Sequence, residues 1–285
     1  MAYDQIVVGT DGSAGSAAAT SWTAQVASIC GAEVSLVHGL APLLEHMFSI
    51  PPLESEQFIS LVSAELSGRW AEPLRQAGVD FEAVLVEDGA AAALLSSARQ
   101  RHASLLVLGR HGHTRWAPHA MGGVVHKVLS GAKCPVVIVP TSWEGGASSD
   151  PNVVVGVDGS ESSLAALDWA IDHAEMSGMG VRAVTAVFTQ TDGDLTWLAP
   201  TDDELATKAA EEELRDIIDK RTAGTVDLVK RVVLGHAGGS LIEESESAGL
   251  VVVGSRGLGS VAALLTGSTS HYVATRSRCP TVIVT

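Results

Sequence analysis

Positive charge is scarce in this sequence: 18 Lys and Arg stand against 33 Asp and Glu, a formal net charge of −15. No Lys/Arg cluster interrupts that balance, which argues against nucleic acid or an anionic membrane surface as a partner. An acidic chain still holds a phosphate locally, through backbone N–H groups and a magnesium ion. Cysteine is also scarce: three residues, an odd number far apart, make no disulfide framework. Cys134 and Cys279 each precede a proline at the start of an expected strand and read as buried apolar filler. Cys30 has no His or Cys neighbour to activate it. No apolar run reaches roughly 18 residues and no secretory leader is read at the N-terminus, so a reduced, cytoplasmic protein is expected. A Walker-type phosphate loop is excluded, because Gly-Lys-Ser/Thr occurs nowhere.

What the chain has in abundance is repetition. Ile6-Val-Val-Gly-Thr-Asp-Gly-Ser13 recurs as Val153-Val-Val-Gly-Val-Asp-Gly-Ser160, and Trp22 recurs as Trp169 at the same offset. After a two-residue adjustment Gly109, Gly112 and Gly122 match Gly254, Gly257 and Gly267. His126 then matches His271, and Cys134-Pro135 matches Cys279-Pro280. The matches keep their order from start to end, so the chain reads as two homologous domains, 1–142 and 151–285, joined by a Gly/Ser-rich linker at 143–150. About 140 residues each is enough for one core.

In each half, strands alternate with helical patterns. Strands are expected near 5–10, 33–40, 79–86, 104–109 and 135–139, with helices at 14–30, 54–77, 90–102 and 122–132. The second half repeats this with strands near 152–157, 180–187, 226–234, 249–254 and 280–284, and helices at 162–178, 202–222, 239–248 and 267–277. Ile6–Val8, Leu105–Leu108, Val153–Val155 and Val251–Val253 show no polar alternation, as expected of a parallel sheet covered on both faces. Thr201-Asp-Asp-Glu204 has the form of a capping box. The fold class is therefore α/β: two doubly wound, Rossmann-like parallel-sheet domains of order 3-2-1-4-5. Ligands in such sheets sit beyond the C-terminal strand ends at the switch between strands one and four.

Glycines after strand four mark that place. A glycine-rich turn that closes on a helix start presents free N–H groups and a helix dipole to an anion. The first glycine lets the chain turn away from the strand, and the second needs either positive φ or a close approach to a ligand. Gly267 and Ser268 open the next helix, and Ser268 adds a hydroxyl donor. Asp158, at the end of its strand, offers a carboxylate to a ribose hydroxyl or a magnesium ion. Asp-Gly-Ser also suits an N-cap or Asx turn, and the roles can coexist. Gly257-Leu-Gly259-Ser-Val-Ala262 matches a dinucleotide fingerprint, but only 23 residues follow Ala262 and none is acidic. That fingerprint needs an acidic residue about 20 positions on.

With these motifs in view, the chain resembles a tandem universal stress protein, a family with a G-x2-G-x9-G-(S/T) ATP motif. The Val-Gly-x-Asp-Gly-Ser start, the motif and the Cys-Pro-x-Val-Ile-Val end each occur twice. The resemblance implies that Asp11 and Asp158 contact adenosine and that Gly39, Ala186 and Val187 border the adenine. It implies that Gly109, Gly112 and Gly122, and Gly254, Gly257, Gly267 and Ser268, hold the phosphates. Gly9, Thr10, Arg115, Gly123, Val124, Gly156, Val157, Ser255, Arg256, Gly259 and Thr269 complete the expected nucleotide-binding set. ATP and Mg2+ are the expected ligands, with no catalytic set and no resident metal centre. The implied role is an ATP-binding regulator of a stress response that passes its state to a protein partner. A slow Mg-dependent ATPase and a nucleotide-free interaction protein are the alternatives.

The halves differ at the motif. Gly123 stands where the pattern wants Ser or Thr, and the first loop carries His111, His113, Arg115, Trp116, Pro118 and His119. The second site is therefore expected to bind more tightly. Trp22 and Trp169 are expected to pack in the core or an interface, and His126 and His271 are expected to pack rather than serve the site. The final strands, Val136–Val139 and Thr281–Val284, are expected to pair the halves as an intrachain pseudo-dimer, and chains can pair further as homodimers through another surface.

Overall fold

The computed structural model describes residues 3–40, 52–113, 122–145, 151–187, 203–221, 226–256 and 267–285. Two compact units divide the chain near residue 146. In the first domain the elements run β1 (Gln5–Gly9), α1 (Ala14–Cys30), β2 (Glu33–Gly39), α2 (Pro52–Ser67), α3 (Glu72–Gln76), β3 (Phe81–Val86), α4 (Ala90–Gln100), β4 (Leu105–Gly109), α5 (Gly123–Gly131) and β5 (Val136–Val139). The second domain repeats the plan: β6 (Asn152–Gly156), α6 (Glu161–Ser177), β7 (Gly180–Val187), α7 (Asp203–Asp219), β8 (Leu228–Leu234), α8 (Ala237–Glu244), β9 (Leu250–Gly254), α9 (Ser268–Arg276) and β10 (Thr281–Val284).

Every strand pair within a domain is parallel. β1 lies between β2 and β4, with Val7 opposite Ser35 on one side and Leu106 on the other. β3 flanks β2 and β5 flanks β4, giving the order 3-2-1-4-5. β6 lies likewise between β7 and β9, with β8 and β10 outside them. The apolar strand runs explain this placement. Ile6, Val7, Val8, Leu105, Leu106 and Val107 are fully buried, as are Val153, Val154 and Val155. Helices on both faces leave no solvated side to demand alternation.

The long first helix of each domain is punctuated in the same way. Ser13 and Ser160 cap the starts by accepting from the backbone N–H of Ser16 and Ser163. Gly31 (φ 73°) and Gly178 (φ 68°) end the helices in the left-handed region, where a Cβ is costly. The caps are thus the serines, and the Asp-Gly pairs before them form the turn.

The helix expected over 54–77 is broken. Gly68 leaves helical geometry (φ −96°, ψ −111°), a 3-10 turn follows at Arg69–Ala71, and α3 begins afresh with Pro73 in its first turn. Proline has no N–H to give an ongoing helix and fits a helix start instead. The Thr201 capping box lies outside the described residues. No helix among the described residues is long and apolar enough to cross a membrane.

Candidate functional site

At the C-terminal ends of β1 and β4 the first domain encloses a cavity of about 430 Å³. Gly9 at the end of β1 and Thr10 and Asp11 just after it line the cavity, with Gly39 from β2, Gly109 at the end of β4 and Gly112 in the loop that follows, and Gly122, Gly123 and Val124 at the start of α5. Residues more than 100 positions apart meet here because β1 and β4 are neighbours while α1 and α5 leave on their own sides. Arg115 lies outside the described residues. Val37, Leu94, Leu108 and Val125 supply apolar walls that the motif reading did not name, and Arg110, His111 and His113 also line the space. Apolar walls with a few placed polar groups are the usual make-up of a small-molecule site. The buried arginine, 8% exposed, is specified by none of the sequence motifs. Its signal was a cation directly after Gly109, where the second repeat has Ser255.

Asp11 forms an Asx turn, its carboxylate accepting from the Ser13 N–H at 3.0 Å. Burial raises its pKa, but hydrogen bonds from the Ser13 hydroxyl and N–H and from Ser16, with the charge of His113, outweigh that and hold it below the usual carboxylate range. Asp11 is therefore an anionic acceptor at neutral pH. Behind it, Gly12 (φ 77°) is pressed against the Trp70 indole, where a Cβ would sit 2.6 Å from the ring. His38 donates from Nδ1 to the Thr10 carbonyl at 2.7 Å and tilts against Trp70.

Two of the loop glycines, Gly109 and Gly112, prove to be required by packing. A side chain at Gly109 would meet the backbone of α1, 2.9 Å from the Ser16 nitrogen. Gly112 is not left-handed; a side chain there would overlap the Asp11 carboxylate. The close approach that excludes a Cβ is thus to the protein's own aspartate. His113 Nε2 donates to the Asp11 carbonyl at 2.9 Å, fastening the same loop to the same turn. α5 starts from Gly122 with no side-chain cap, so its first-turn N–H groups, which border the cavity, are left for an anion.

In the second domain Gly156 ends β6 and Val157 and Asp158 follow it, while Ala186 and Val187 end the neighbouring β7. Asp158 repeats the Asx turn, accepting from the Ser160 N–H at 3.0 Å and hydroxyl at 2.5 Å, but it is exposed where Asp11 is half-buried. Thr185 Oγ1 donates to the Val157 carbonyl at 2.9 Å, replacing the bond made by His38. Gly254, Ser255 and Arg256 lead out of β9, and Gly267 returns to them by donating to the Ser255 carbonyl at 2.7 Å. Ser268 and Thr269 open α9, again with no side-chain cap at Gly267. Gly257 and Gly259 lie outside the described residues.

Trp22 and Trp169 are both buried. Cys279 is buried and Cys134 half-buried, its thiol pushed up to about 11 by burial. His126 and His271 are not packed: both are exposed, because Val125, Val128 and Leu129 in α5, and Val273 and Ala274 in α9, take the core-facing positions.

Comparison with known proteins accords with this geometry. Residues 2–140 and 151–285 each match the model of the Universal stress protein family. Universal stress protein Rv2623 of Mycobacterium tuberculosis (strain ATCC 25618 / H37Rv) is 30% identical over 294 residues, covering 98% of this chain and 95% of its own. A universal stress protein of Mycolicibacterium smegmatis is 29% identical over 291 residues, covering 98% and 96%. A solved universal stress protein from Archaeoglobus fulgidus DSM 4304 shares the fold, with a TM-score of 0.67 at 20% identity over 98% of this chain and 97% of that one. With the fold, the doubled glycine motif and two matches that together span nearly every residue, the chain belongs to the universal stress protein family and carries that family's domain twice.

Proposed function

We propose that this chain is an ATP-binding regulatory protein of a stress response, with a nucleotide site at the C-terminal strand ends of each domain. The observation that carries the reading is the first-domain cavity. It brings the anionic Asp11, an apolar wall and an uncapped helix start into one space of nucleoside-phosphate size. In this reading the Asp11 carboxylate accepts from the ribose, the wall of Val37, Leu94 and Leu108 takes the base side, and the first turn of α5 takes the phosphates. Gly156, Asp158, Gly254 and Gly267 supply the corresponding frame in the second domain. Mg2+ offsets phosphate charge in a chain whose own net charge is −15. The bound state is what a protein partner reads.

Calorimetric titration of the full chain with ATP, in Mg2+ and in EDTA, tests this. Binding in the micromolar class, about −8 kcal/mol, is expected, and it should weaken in EDTA. Absence of binding in both buffers, together with no nucleotide released on denaturation, would sink the proposal.

A further inference from the structure

The two domains seat the loop after their fourth strand by different means, and the difference lies in one residue of the first helix. In the first domain that residue is Gly15, buried in the first turn of α1. A Cβ built there would overlap the His111 carbonyl oxygen and lie 3.3 Å from Thr141 Oγ1. Gly109 rests on the same spot, its missing Cβ facing the Gly15 backbone. Helix, strand end and loop therefore touch backbone to backbone. At the matching place the second domain has Ser162, whose hydroxyl donates to the carbonyl of Arg256, the counterpart of His111. Gly254 there faces Ser162 atoms at 2.6 Å.

Resting on the nucleotide reading above, we propose that Gly15 and Ser162 are positioning residues for the two nucleotide loops. Gly15 acts by absence. Only without a side chain does the His111 carbonyl settle onto α1, and that seat carries Gly112 against the Asp11 carboxylate and His113 onto the Asp11 carbonyl. The loop then holds its glycines at the cavity before any ligand arrives, so little ordering is left to oppose binding. Ser162 acts by a hydrogen bond, a tether that gives and re-forms. Neither residue needs to touch the nucleotide.

The test separates loop seating from ligand identity. Hydrogen exchange by mass spectrometry on the ligand-free full chain should show the Arg110–His113 segment exchanging at least tenfold faster in Gly15→Ala than in wild type, with β1 and β2 unchanged. Unchanged exchange there overturns the proposal. Exchange protection by ATP across Leu105–His113 and Gly123–Gly131 then reports first-domain occupancy. Half-protection in Gly15→Ala should need at least tenfold more ATP, and an unshifted midpoint overturns the positioning role in binding. Alanine is the better helix former, so a Gly15→Ala chain with a raised melting temperature but weakened binding separates positioning from folding. If Gly15→Ala does not fold, Ser162→Ala carries the test. Faster exchange at Ser255–Arg256 supports the proposal, and wild-type exchange overturns it. A wild-type chain that ATP protects nowhere refutes the proposed function instead, while the ligand-free exchange still decides the seating.

Discussion

Two copies of one domain, folded in one chain, differ at the strand ends where the proposed nucleotide sites lie. The first half-buries its aspartate and surrounds the cavity with Arg110, His111 and His113. The second exposes its aspartate and supplies Ser255 and Arg256 instead, with Ser268 at the helix start where the first domain has Gly123. The cores diverge too. Val26 of α1 corresponds to His173 of α6, which is buried and stacked on Trp169 at 5.0 Å. The buried serines Ser35 and Ser97 correspond to Arg182 and Glu244, which pair at 2.8 Å, with Arg231 on the other Glu244 oxygen. Duplication kept the backbone plan and the Asp-Gly-Ser turn while releasing the charges around them. A shared fold therefore does not imply shared affinity, and each site has to be argued from its own side chains.

The most severe way to break the comparison is to fill the loop glycines. Gly112→Val should abolish first-domain ATP binding, a loss beyond a hundredfold, because the side chain would occupy the space of the Asp11 carboxylate. Gly257→Val, its counterpart by sequence, should do the same in the second domain. Calorimetry should find one binding event lost in each variant, and two surviving events in either would show that its loop is not a site.

Removing the aspartates ranks the sites. Asp11→Ala and Asp158→Ala should each cost about ten- to hundredfold in ATP affinity, the usual loss for a hydrogen bond to a charged group, or about 1.5–3 kcal/mol. The tighter event should disappear with Asp158→Ala, as expected from the Ser268 hydroxyl. If it disappears with Asp11→Ala instead, the cations around the first cavity outweigh that hydroxyl.

Acid should separate the domains without a ligand. Burial lowers the His173 pKa to about 4, against about 6.5 in the unfolded chain. The unfolded chain therefore takes up the proton first. The full stability is present above pH 6.5 and is lost as pH falls toward 4, amounting to about 2 kcal/mol at pH 5 relative to pH 7. Denaturant unfolding followed by exchange in α6 should show this loss, and His173→Val, copying Val26, should flatten it. Equal pH slopes in wild type and variant would refute the assignment.

The mildest change is Gly123→Ser, which gives the first domain the hydroxyl of Ser268. A gain of about tenfold in first-domain ATP affinity is expected, the low end for a hydrogen bond to a charged phosphate, about 1.5 kcal/mol. No change in titration would mean that the helix N–H groups alone set phosphate affinity.

The plan of the molecule was legible in the sequence because its determinants are local and occur twice. Apolar runs without alternation marked strands buried on both faces, and the repeat exposed the doubling. The aspartate turns and most site glycines were legible for the same reason. Tertiary structure alone decided why two of those glycines are needed. Gly109 yields to α1 and Gly112 to Asp11, both contacts between segments about 100 residues apart in the chain. It also turned His126 and His271 to solvent, set Arg110 within the cavity wall and gave Gly15 its place beneath the loop. Sequence spacing records which residues share a turn or a helix face. Which side chain must be missing at a crossing depends on what the rest of the fold brings there, and that is settled only when distant strands pair.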